Sequence, residues 1–142
     1  MKEVNIYTAV SCTKKTGEGS FGYVLEFVTE KGKATGTKVE HFFGTENQGN
    51  ILAALHAVER LKENCHLTIY TESSYLATGY TNWIEKWVWQ DWKNAKGTEI
   101  ANASEWRQLY YALKGHEVEF KVKEPNEYYN WLKFETDKER NG

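Results

Sequence analysis

Polar and apolar positions alternate from the first residues of the chain. In Val4-Asn5-Ile6-Tyr7-Thr8, Val4 and Ile6 share a face, which predicts a strand over residues 4–10. The glycines of "TKKTGEGS" (13–20) make a turn, and "FGYVLEFVTE" (21–30) alternates as a second strand. "KGK" then supplies a hairpin turn to a third strand, "TKVEHFFG" (37–44). "TENQGN" (45–50) reads as a loop, after which the period changes: Ile51, Leu52, Leu55, Val58 and Leu61 recur at helical spacing. "HLTIYTE" (66–72) is a short strand with Leu67 and Ile69 on one face. Residues 73–94 are helical in period with a break near Gly79. A further helix spans 102–115, with Asn102 as N-cap, Glu105 completing a capping box and Gly115 as the stop. "EVEFKVK" (117–123) alternates as a strand, and a last helix follows Pro125.

The predicted order is β-β-β-α-β-α-α-β-α. Three consecutive strands suit an antiparallel meander, and the later strands, separated by helices, suit right-handed parallel crossovers. The expected fold is α/β: one mixed sheet with helices on both faces. Chemistry in such sheets collects at the carboxyl ends of the parallel strands. Ala9, ending the first strand, and Glu72, ending the fourth, would be neighbours there.

With 142 residues, 40% of them hydrophobic, the chain can bury one core, and a single domain over residues 1–138 is expected, with 139–142 as a charged, fraying tail. Lys and Arg number 18 against 20 Asp and Glu, a net charge of −2, so the whole molecule carries no positive field of the kind that drives non-specific nucleic-acid binding. No apolar run is long enough for a membrane span. Two cysteines, Cys12 and Cys65, read as free thiols, in keeping with a cytoplasmic location. His41, His56, His66 and His116 have no metal-ligand spacing.

In order and spacing, "IYTAVSC", "GEGSFGYVL", "TENQGNILAALHAVERLKENC", "TIYTESSYLATGYTNWI" and "WKNAKGTEIANASEWRQLYYAL" resemble the ribonuclease H family over nearly the whole chain. The resemblance implies a five-stranded mixed sheet in the order 3-2-1-4-5. It also implies an ancestral activity, magnesium-dependent hydrolysis of RNA in an RNA/DNA hybrid. That reaction uses two hard cations about 4 Å apart, held by clustered carboxylates. The family places four acids for this. The family's T-D-G-S-C falls on Thr8-Ala9-Val10-Ser11-Cys12, so Ala9 takes the first acid's position. Asn50 takes the second, Glu72 keeps an acid at the third, and Asn130 takes the fourth; an alternative register puts Phe134 there, also not an acid. The family's histidine-bearing loop before the last helix is absent from "VKEPNE".

The resemblance therefore implies a site without its metal ligands and no metal cofactor. Glu72 reads as an exposed acid at a strand end, and the alternative is an active enzyme with a site rebuilt around Glu72 from Glu46, Glu124 and Glu127. Thr45 and Asn47 match family positions that touch the hybrid backbone, Lys15 stands where an asparagine is common, and Ser74 replaces a common glutamine. The family's basic handle corresponds to "EKWVWQDWKN", where Lys86 and Lys93 are balanced by Glu85 and Asp91. Trp83 and Trp87, four residues apart, suit core packing, whereas Trp89 and Trp92 are harder to place, with the surface open to them. Two roles follow. One is binding of RNA/DNA hybrid or double-stranded nucleic acid through Thr45, Asn47, Ser74 and Lys93; the other is contact with a protein partner through the aromatic handle.

Overall fold

Alternation over the first 43 residues builds a three-stranded meander. The computed structural model describes every residue from Met1 to Gly142 and contains β1 (Lys2–Cys12), β2 (Glu18–Thr29) and β3 (Gly32–Phe43), then α1 (Glu46–Val58) and β4 (Cys65–Thr71). α2 (Ser74–Thr78), a π-helical turn (Gly79–Trp83) and α3 (Ile84–Trp89) follow, then α4 (Ala103–Leu113), β5 (Glu117–Val122) and α5 (Tyr129–Asn141). The sheet has the order β3-β2-β1-β4-β5. β1 and β3 pair antiparallel with β2, whereas β4 pairs parallel with β1 and with β5. The five-stranded mixed sheet in the order 3-2-1-4-5 is the one the resemblance implies. No helix is long and apolar enough to cross a membrane.

Side-chain alternation along β1 divides the core. Val4 and Ile6 pack on one face with Ile51, Leu55 and Val58 of α1 and Leu109 and Leu113 of α4. Tyr7 and Ala9 point to the other face, against Val24 and Leu132 of α5. Val10 returns to the α1 face, beside Phe21, Phe42 and Ala53.

Several boundaries differ from the sequence expectation. β3 starts at Gly32, five residues earlier, because this edge strand pairs with β2 through backbone groups while its "GKATGT" segment carries no core side chain. α1 starts at Glu46, so most of the expected loop is its first turn; Thr45 caps it, its hydroxyl accepting from the Gln48 amide at 3.1 Å. Asn102 stands at the expected N-cap position of α4, but its side chain makes no capping bond. It is left-handed (φ 58°), and its side-chain amide donates to the Tyr75 hydroxyl at 3.1 Å, which also accepts from Trp106 Nε1 at 2.9 Å. Gly115, with φ 89°, does end that segment. Trp92 is 5% exposed, not on the surface, and lies under the Arg107 guanidinium. Trp89 is 88% exposed. Trp87 packs on Trp106, whereas Trp83, expected inside, is half exposed with the Lys86 ammonium over its ring. Residues 139–141 form the last turn of α5 in place of a free tail, because Arg140 Nε donates to the Ser11 hydroxyl at 2.7 Å.

α5 is anchored by a buried acid. Glu26 is 1% exposed and opposite Asn5 in the β1–β2 register. Its carboxylate accepts from Asn5 Nδ2 at 2.9 Å, the Tyr7 hydroxyl at 3.1 Å and the Tyr128 hydroxyl at 2.6 Å, with Lys33 Nζ at 3.6 Å. Burial pushes this carboxyl up, but the Tyr128, Asn5 and Tyr7 donors and the Lys33 charge together hold it below the ordinary carboxylate range. Tyr128 thereby ties the start of α5 to β2, and Ser20 on β2 donates to the Thr136 carbonyl two turns later.

Two outcomes follow from this packing. A folded-state pKa below the unfolded value of ~4.3 means that Glu26 stabilises the protein above that pH, and that the contribution is lost as pH falls through the lower folded value. Glu26→Gln should melt below the parent at neutral pH and lose less further stability on acidification; equal acid sensitivity of the two proteins in urea unfolding would contradict this. At Gly49 in α1, a Cβ would stand 2.6 Å from the Phe42 ring and 2.8 Å from Val10 Cγ1. Gly49→Ala should therefore destabilise by about 1 kcal/mol despite alanine's better helix propensity, because overpacking outweighs it. A denaturation midpoint at or above the parent's would show that α1 can move away from β1.

Candidate functional site

The four positions that the resemblance assigns to carboxylates lie on the elements expected of them. Ala9, near the end of β1, is 3% exposed among Tyr7, Val24 and Leu132. Asn50, in the second turn of α1, is 6% exposed, and its Nδ2 donates to the Glu46 carbonyl at 3.0 Å, so it is satisfied within its own helix. Glu72 follows β4 and is exposed. Asn130 is exposed in the first turn of α5, and with Glu72 and Tyr129 it lines one shallow depression that also includes Lys123–Asn126.

α5 turns a stripe of polar side chains toward the tip of β1. Residues 129, 133, 137 and 140 recur at helical spacing on that side. Tyr129 packs on the Tyr7–Ala9 cluster, and its hydroxyl is pushed up in pKa by burial and then by the charges of Glu72, Asp137 and Glu46. Lys133 Nζ donates to the Val10 carbonyl at 2.9 Å and pairs with Asp137 at 3.4 Å. Asp137 is held below its ordinary pKa by the Ser11 hydroxyl, against a smaller upward push from burial, and by Lys133 and Arg140. The sequence reading missed Tyr129, Lys133, Asp137 and Arg140. Their helical spacing was visible, but its alignment on β1 depends on the placement of α5.

Magnesium needs several charged oxygen ligands, since it gives up its water reluctantly. This donor set does not supply them. Three of the four positions are neutral, and no group of three or more His, Cys, Asp or Glu side chains is placed to hold a metal ion. An ammonium also sits on the carbonyl next to Ala9. Glu124 lines the same depression as Glu72, but Glu127 is drawn away to Lys33 at 3.3 Å.

The positions assigned to a nucleic-acid backbone fall in two places. Thr45 and Asn47, both exposed, line a depression at the start of α1 with Cys12, Lys14, Gly44 and Glu46. Ser74 opens α2 and is exposed, because Ser73 and not Ser74 caps that helix. Lys93 is exposed in the loop after α3, where its backbone bridges to Glu99. Trp83, just before α3, and Trp89, its last residue, are exposed. Burial raises the pKa of both Cys12 and Cys65, which leaves them as poor nucleophiles.

Known proteins share this architecture and sequence. The RNase H family model matches residues 1–123. Ribonuclease HI of Xylella fastidiosa is 33% identical over 120 residues, covering 84% of this chain and 78% of that protein. Ribonuclease H of Acetivibrio thermocellus is 34% identical over 134 residues, covering 92% and 89%. Among solved structures, the type 1 enzyme LC9-RNase H1, described as carrying the type 2 active-site motif, superposes with a TM-score of 0.84 at 20% identity, covering 99% of this chain and 73% of that one. The foamy viral protease-reverse transcriptase in complex with RNA/DNA hybrid gives 0.74 at 12% identity, covering 98% of this chain and 20% of that one. With the family model spanning most of its length and relatives a third identical over more than four-fifths of it, the chain belongs to the ribonuclease H family.

Proposed function

We propose that this chain is a ribonuclease H-like domain that has lost hydrolysis and binds RNA/DNA hybrid, or double-stranded nucleic acid of similar shape, through its phosphate backbone. The observation that carries the reading is Ala9: a buried methyl at the tip of the central strand, with neutral Asn50 and Asn130 at two further ligand positions. Two-metal hydrolysis has no basis in that donor set. Binding is supported by exposed Thr45 and Asn47 beside Lys14, and by relatives that are named ribonuclease H.

A second reading rests on Trp89. A tryptophan 88% exposed, beside half-exposed Trp83, has area to bury against a protein partner, and the net charge of −2 does not favour a polyanion. The third is an active enzyme rebuilt around Glu72, using magnesium or manganese.

A hybrid titration at low salt, with and without magnesium, separates the three. Weak binding that falls steeply with salt, is not strengthened by magnesium, leaves the RNA uncut and weakens further in Lys93→Glu is the expected result, since only phosphate contacts remain. No detectable binding would favour the protein partner. RNA cleavage that disappears in Glu72→Ala would overturn the proposal.

A further inference from the structure

An acid at the buried tip of β1 would need a counter-charge. If the first ligand position carried an acid in place of Ala9, its carboxylate would sit among Tyr7, Val24 and Leu132, where an uncompensated charge is expensive. Divalent cations would normally meet that cost. Here α5 delivers a cation of its own: Lys133 Nζ is 2.9 Å from the Val10 carbonyl, one residue from Ala9, and 3.4 Å from Asp137. Arg140 Nε, on the Ser11 hydroxyl at 2.7 Å, adds a second positive charge at the next residue.

We infer that Lys133 is the resident counter-ion of this site: the α5 stripe closes the tip of β1 with the protein's own charges, and Lys133 excludes divalent metal even when the missing acids are restored. The inference rests on reading Ala9, Asn50 and Asn130 as vacated ligand positions, and it goes beyond that reading by naming a residue that keeps the site closed. A fixed ammonium opposes a divalent ion in two ways. It repels the ion, and it already holds the Val10 carbonyl and the Asp137 carboxylate, two oxygens beside the first ligand position.

The test compares two versions of a restored protein carrying Ala9→Asp, Asn50→Glu, Glu72→Asp and Asn130→Asp. One keeps Lys133; the other adds Lys133→Met, which retains the packing stem and removes the charge. Melting temperature is read in chelator and in millimolar magnesium, with circular dichroism to verify the fold. Metal that binds only the folded state raises the melting temperature by mass action. The expected result is a magnesium-dependent rise of several degrees in the Lys133→Met version and little or none in the version with Lys133. Lys133→Arg in the restored background should remain insensitive. In chelator, the Lys133→Met version should melt lower, because its acids then repel one another without a partner. Equal responses to magnesium in both versions, or no response in either, would overturn the assignment of Lys133. Neither result depends on whether the parent chain binds or cuts a hybrid, so failure of this inference is distinct from failure of the proposed function.

Discussion

The placement of β1 constrains everything else in the site. The strand pairs antiparallel with β2 from Val4 to Cys12 and parallel with β4 as far as Tyr7, so its tip is held by β2 on one edge and is unpaired on the β4 edge. Strand alternation then dictates that residues 9 and 11 face α5 and that residue 10 faces α1. Whatever side chain occupies position 9 is pressed against Leu132 and Tyr129 of the last helix. A methyl group there simply extends the core; a carboxylate would require a cation within reach. The choice of alanine and the presence of Lys133 on the neighbouring carbonyl are thus two answers to one electrostatic problem.

The location of α5 is in turn set by polar groups more than by apolar ones. Only Leu132 and Thr136 of this helix are buried. Its start is fixed through Tyr128 to the buried Glu26 carboxylate, its middle through Thr136 to Ser20, and its end through Arg140 to Ser11. Directional bonds at three heights fix the rotation of the helix as well as its position. That rotation brings residues 129, 133, 137 and 140 onto β1 and leaves Trp131 and Phe134 facing outward. The family fold is retained with Ala9, Asn50 and Asn130, all uncharged, and exposed Glu72 at the positions that the resemblance assigns to acids.

Much of this was legible in the sequence. The order of elements followed from the change between a period of two and a helical period, and the sheet order followed from the resemblance. Ala9, Asn50, Glu72 and Asn130 could be placed because their flanking residues keep recognisable spacing. The boundaries that failed have physical reasons. The first half of β3 carries no apolar alternation because an edge strand is held by its backbone. The first turn of α1 is polar because it is exposed. Asn102 stands at the N-cap position, but its backbone is left-handed where a capping residue is extended, and its Nδ2 donates to Tyr75. Trp92 is drawn inside by a turn in which both Asp91 and Trp92 adopt positive φ, which no periodicity announces. Glu26 looked like one polar position in an alternating strand, and its role depends on Asn5 and Tyr7 of β1 and Tyr128 at the start of α5 converging on it.

Manganese is a paramagnetic substitute for magnesium and broadens the amide resonances of residues close to a bound ion. A titration of the parent protein with manganese, followed by amide NMR, therefore interrogates the tip of β1 directly. The account predicts no selective broadening of Ala9, Val10, Ser11, Glu72 and Asn130 relative to exposed acidic surfaces elsewhere. Early, saturable broadening centred on these residues would mean that a metal site survives there, and would contradict the claim that the protein's own charges have closed it.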